Sequence, residues 1–79
     1  MNNLTSVSFG TVLRELRMAQ ELSQEVLAFR CSLHPSYISL LERNLKSPSL
    51  DTLKALASGL GMKVSEMLKG IEQHSEIAG

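Results

Sequence analysis

A chain of 79 residues makes one small domain, and folding at this size buries only roughly 60% of the surface the unfolded chain exposes, so the core is thin. Hydrophobic residues make up 43% of it, too many for a disordered chain, and with only Phe9, Phe29 and Tyr37 as aromatics a core of Leu, Val, Ala and Met suits packed helices better than sheets. Eight Lys+Arg balance eight Asp+Glu, which gives no overall basic signal for nucleic acid, and the single cysteine, Cys31, excludes an intramolecular disulfide and fits a reducing compartment.

The pattern predicts five helices and a single domain over 1–79, with its core at about 8–69 and a polar tail at 70–79. Ser8 is a good N-cap, and Phe9, Val12, Leu13 and Leu16 then fall at helical spacing. A second, two-turn helix follows Ser23, with Val26, Leu27, Ala28 and Cys31 as its apolar set. Pro35 opens a third helix, because proline fits the first helical position and discourages helix in the residue before it. That helix carries Ile38 and Leu41 on one face and runs to about Asn44. Residues 45–49 read as a loop closed by Ser49, the next N-cap. Leu50, Leu53, Leu56, Ala57 and Leu60 form the most regular stripe, brought to a stop by Gly59 and Gly61. A last helix from about Val64 carries Met67, Leu68 and Ile71.

Two short helices joined by three or four residues, the second opened by proline, form the outline of a DNA-binding helix-turn-helix. The stretch QEVLAFRCSLHPSYISLLER at 24–43 resembles the helix-turn-helix of the Cro/repressor, or XRE, family. The likeness extends from about Phe9 to Leu68, through LRELR at 13–17, LSQEVLA at 22–28, HPSYISLLERN at 34–44 and SPSLDTLKALASGLG at 47–61. In size and in the ERN ending of the third helix, the chain also resembles the restriction–modification controller branch. The resemblance implies an all-α, five-helix, lambda-repressor-like domain. Small Ala28 would lie at the crossing of helices two and three, with Leu27, Cys31, Leu33, Ile38 and Leu41 buried around it.

Carried over residue by residue, the resemblance implies a DNA surface. Gln24 would open the second helix with its amide and backbone N–H near a phosphate. His34, Pro35, Ser36, Tyr37, Ser39 and Leu40 would line the start and outward face of the recognition helix, and Arg43, Lys46 and Ser47 would follow the DNA backbone beyond it. Arg17 and Glu42 match a buried ion pair joining the first helix to the third. Asn44 stands at a left-handed helix end, where Asn is second to Gly. Ser32 and Glu21 occupy turn positions that are often glycine, and Ser32 would adopt that conformation at a cost of ~1 kcal/mol. Lys63 is a poor N-cap. Leu40 replaces a polar base reader; it cannot donate a hydrogen bond, but it can touch a thymine methyl.

Other roles remain open for some of these residues. His34 either caps its helix or touches DNA. Tyr37 is read as a DNA contact in preference to packing on the loop, and Arg43 and Lys46 as phosphate contacts in preference to a solvated pair. Cys31 is read as core. No metal or cofactor is expected, since His34 and His74 lack partners at ligand spacing. A chain this short has little room for a substrate pocket, so an enzyme is not expected. No apolar run approaches the ~18 residues of a membrane span, and a cytoplasmic, nucleoid-associated protein is expected.

The functional expectation is a sequence-specific transcriptional regulator that binds double-stranded DNA as a homodimer on a palindromic operator. Net charge zero leaves a monomer weak, so Val64, Met67, Leu68 and Ile71 on the last helix are expected to form the dimer surface. The alternative is that all four face inward. The rival function is a protein-interaction module of the same fold, such as an antitoxin or anti-repressor partner, with an unidentified protein on the groove-facing surface.

Overall fold

Three of the helices begin at a residue whose side chain accepts from one of their orphan N–H groups: Ser23, His34 and Ser49. Residues 8–69 are described by a computed structural model, and they form α1 (Phe9–Ala19), α2 (Gln24–Cys31), α3 (Pro35–Glu42), α4 (Leu50–Leu60) and α5, helical over residues 64–69, with no strand among them. The Ser23 hydroxyl accepts from the Val26 N–H at 3.0 Å, and the Ser49 hydroxyl from the Thr52 N–H at 3.1 Å. Ser8 is extended but makes no such cap bond; its hydroxyl meets that of Thr11 at 3.2 Å. Lys63 cannot cap, and Glu66 supplies what it lacks: its carboxylate accepts from the Lys63 N–H at 2.8 Å, the returning half of a capping box.

The helix ends share one device. At α1, α2, α3 and α4 a left-handed residue (Glu21, Ser32, Asn44 and Gly61, φ 59°, 58°, 62° and 70°) turns the chain back. Its N–H and the next one bond to carbonyls three and five residues upstream: Glu21 to Met18 and Leu22 to Arg17, Ser32 to Phe29 and Leu33 to Ala28, Asn44 to Leu41 and Leu45 to Leu40, Gly61 to Ser58 and Met62 to Ala57. Both expected left-handed substitutes for glycine, Glu21 and Ser32, adopt that conformation, as does Asn44.

Leu13, Leu27, Ala28, Cys31, Ile38, Leu41, Leu56, Ala57, Leu60 and Met67 form one core cluster, with Leu33 half-buried against it. Through it α2 packs on α3 and α4, and α1 on α3. Gly10 sits where α1 meets the end of α3; a Cβ there would lie 2.7 Å from the Glu42 carbonyl oxygen, so only glycine allows the approach. No helix of the described residues is long and apolar enough to cross a membrane.

Four expectations are corrected. Val26 and Leu50, placed in the apolar patterns of their helices, are 43% and 61% exposed, because each lies in a helix's first turn, on the side away from the cluster. Gly59 does not end α4; it is buried inside it, where a Cβ would collide with the Cys31 sulfur. Met67, assigned to a dimer surface, is wholly buried in the protomer's own core. A thin core takes the most inward residue of the last helix to close itself, and periodicity alone does not tell which surface a stripe covers.

Candidate nucleic-acid interface

The surface around α3 is fixed from beneath by an ion pair. Arg17 reaches from α1 and donates Nε to Glu42 Oε2 at 2.6 Å and Nη2 to Oε1 at 3.0 Å, with Nη1 on the Leu22 carbonyl at 2.7 Å. The two side chains are 13% and 4% exposed. The bond to Glu42 raises the Arg17 pKa above its ordinary value, more than burial lowers it. Gln24, the first residue of α2, donates Nε2 to the same Oε1 at 3.0 Å. The carboxylate therefore joins α1, α2 and α3, and Arg17 adds the turn after α1, in a bidentate, charge-assisted arrangement that fixes their relative positions.

The expected role of Gln24 divides accordingly. Its amide is turned to Glu42, while its backbone N–H remains in the first turn of α2, where the helix dipole favours an anion.

At the head of α3 His34 caps its own helix. Its Nδ1 accepts from the Ser36 N–H at 3.1 Å and lies 2.7 Å from the Ser36 hydroxyl, with Pro35 at the first helical position. An accepting Nδ1 puts the neutral ring's proton on Nε2, so the exposed imidazole still carries a donor. Tyr37 is half-buried against the core, and its hydroxyl meets Thr52 Oγ1 at 3.3 Å, which in turn receives the Ser49 hydroxyl at 3.0 Å. The cap of α4 is thereby tied to α3.

The outward side of α3 is what remains. Ile38, Leu41 and Glu42 face in; Ser36 and Arg43 are exposed, and Pro35, Ser39 and Leu40 are half-buried. Lys46 and Ser47 are exposed in the loop that follows. From Ser32 to Leu50 the sequence holds one carboxylate, Glu42, and it is bound to Arg17 in the interior. The strip from His34 to Ser47 therefore presents Arg43 and Lys46 with no exposed acid between them, a local positive field on a chain of zero net charge. Asn44, between the two cations, turns its Oδ1 away to accept the Gly10 N–H at 3.1 Å.

Of the residues expected at a dimer surface, Val64 is half-buried against the core, Leu68 is half-buried and stands outside the core cluster, and Ile71 lies outside the described residues.

Three contacts were not read from the sequence. The Gly10–Asn44 bond and the Gln24–Glu42 bond link residues 34 and 18 positions apart, and Gln20 Nε2 bonds the Leu60 carbonyl at 2.8 Å across 40 positions. The lone glycine inside an otherwise regular first helix was the available signal for the first; the other two left none.

Comparison with known proteins places this geometry. A helix-turn-helix family model matches residues 13–67. The chain is 38% identical over 69 residues to the control protein C.BamHI of Bacillus amyloliquefaciens, covering 86% of this chain and 85% of that protein. Among solved structures it is similar to the restriction–modification controller protein C.AhdI from Aeromonas hydrophila, at 44% identity and a TM-score of 0.72, covering 75% of this chain and 89% of that one. It is also similar to C.Esp1396I bound to a 19 base pair DNA duplex, at 25% identity and a TM-score of 0.80, covering 92% and 96%.

Proposed function

This chain belongs to the XRE-type helix-turn-helix family, and on that premise we propose that it is a sequence-specific DNA-binding transcriptional regulator of the controller kind, acting as a homodimer on a two-fold-symmetric operator. The observation that carries the reading is the acid-free strip along α3, whose one carboxylate is withdrawn into the Arg17 pair. A duplex is a polyanion with a groove wide enough for one helix. With α3 in the major groove, Arg43 and Lys46 meet phosphates and set the register, while Ser36, Ser39, Leu40 and the Nε2–H of His34 meet base edges. Pro35 and Tyr37 shape that surface, Ser47 adds a hydroxyl beyond it, and Gln24 offers its backbone N–H to a phosphate. Two such strips about 34 Å apart fit one face of a two-fold site, and the low charge of each protomer makes the pairing necessary.

The whole chain acts as one domain in this reading, and it works beside the nucleoid in the cytoplasm. Selection from a pool of random duplexes tests it. Recovered sequences should share a motif with two-fold symmetry and outcompete random duplex in a gel shift. A protein that retains no duplex contradicts it and favours the protein-interaction alternative.

A further inference from the structure

Four helix ends use the same backbone bonds, and at all four the residue after the left-handed position is apolar: Leu22, Leu33, Leu45 and Met62. Such a residue commonly packs on the last turn of its own helix. Leu22, Leu33 and Met62 also join the core, whereas Leu45 is 60% exposed. Its N–H bonds the Leu40 carbonyl at 2.9 Å, which sets residue 45 beside residue 40. Leu40 is half-buried and is likewise no part of the core cluster. Residues at these two positions of the motif commonly pack together, which gives an apolar spot at the end of α3, close in sequence to exposed Arg43 and Lys46 and to Ser36 and Ser39.

An apolar spot beside two exposed cations fits a partner that is anionic and offers one apolar point. In the major groove that point is a pyrimidine C5-methyl: it is the only apolar group a base pair presents there, and leucine can contact it but can neither donate to nor accept from a base. We propose that Leu40 and Leu45 read a C5-methyl, so that each half-site carries a methylated pyrimidine, thymine or 5-methylcytosine, opposite this pair. The inference rests on the DNA-binding reading and adds to it the chemical feature that two of its residues recognise. Burying one methyl changes affinity by about fourfold.

The probe is the duplex recovered by selection, resynthesised with each thymine replaced singly by deoxyuridine, which removes the methyl and nothing else. The wild type should lose about fourfold in affinity at one thymine of each half-site. Replacing that T·A pair by C·G and then by 5-methylcytosine·G should recover a similar factor on methylation, which separates the methyl from the rest of the base. Leu40→Ala, and independently the exposed Leu45→Ser, should bind the thymine and deoxyuridine duplexes alike while keeping the wild-type salt dependence and helical circular dichroism. A merely structural role for these leucines would weaken both duplexes equally and leave the deoxyuridine penalty in place, which overturns the proposal. Equal binding of every deoxyuridine duplex by the wild type overturns it as well. Failure to enrich any duplex overturns the DNA-binding reading itself.

Discussion

Removing the Arg17 guanidinium leaves a carboxylate that is 4% exposed with, among the described residues, only the Gln24 amide as a side-chain donor. An uncompensated buried charge of this kind costs about 3–5 kcal/mol, a large fraction of what holds a small domain together. Arg17→Ala should therefore lower stability by about 3 kcal/mol or more in urea denaturation; a loss below about 1 kcal/mol would mean that Glu42 finds solvent. The pair is also the residue-scale feature most legible in advance, because Arg17 and Glu42 stand at positions the family resemblance assigns. The Gln24 amide was expected at a phosphate instead, and its bond to Glu42 depends on how closely α2 and α3 approach, which spacing along the chain does not encode. The thiol of Cys31, pushed up in pKa by burial and abutted by Gly59, fits its expected role as a small core residue.

Among the elements, the turn between α2 and α3 carries avoidable strain. Ser32 is exposed and left-handed at φ 58°, a conformation that disfavours a residue with a Cβ by about 1–2 kcal/mol; glycine removes the strain but enlarges the unfolded ensemble. Ser32→Gly should raise stability by up to about 1 kcal/mol, read from the denaturation midpoint, with DNA affinity unchanged; a loss would mean that the serine side chain is needed in the turn. The end of α3 makes a different prediction. Arg43→Ala and Lys46→Ala should each weaken specific and random duplex binding alike, and each should reduce the slope of log affinity against log salt by about one. A slope unchanged in both variants would leave these residues merely solvated. Helix starts and stops were legible because they are local: Ser23, Pro35, Ser49 and the left-handed Ser32 act through bonds within a few residues. What failed was the direction of faces. Val26 and Leu50 continue an apolar pattern in the sequence, yet each is exposed in its helix's first turn, and Gly59 looks like a stop until Cys31 is placed against it.

For the molecule as a whole, the fold followed from helix spacing and family resemblance, while the assembly surface did not. Met67 fills the core, and the described part of α5 leaves Leu68 as its half-buried apolar residue outside the cluster. The charge argument for a dimer is independent of that reassignment, since a neutral protomer with two exposed cations beside α3 can neutralise few phosphates. Leu68→Asp is the appropriate probe of the surface, because Met67→Asp would place a charge in the core and unfold the chain. The most direct test is the mass of the complex that wild type and Leu68→Asp form on the selected duplex, measured by sedimentation with circular dichroism on the same samples. The account predicts two wild-type protomers per duplex at all partial saturations, and a folded Leu68→Asp protein that binds singly and more than tenfold more weakly. One wild-type protomer held tightly on a single asymmetric site would contradict it.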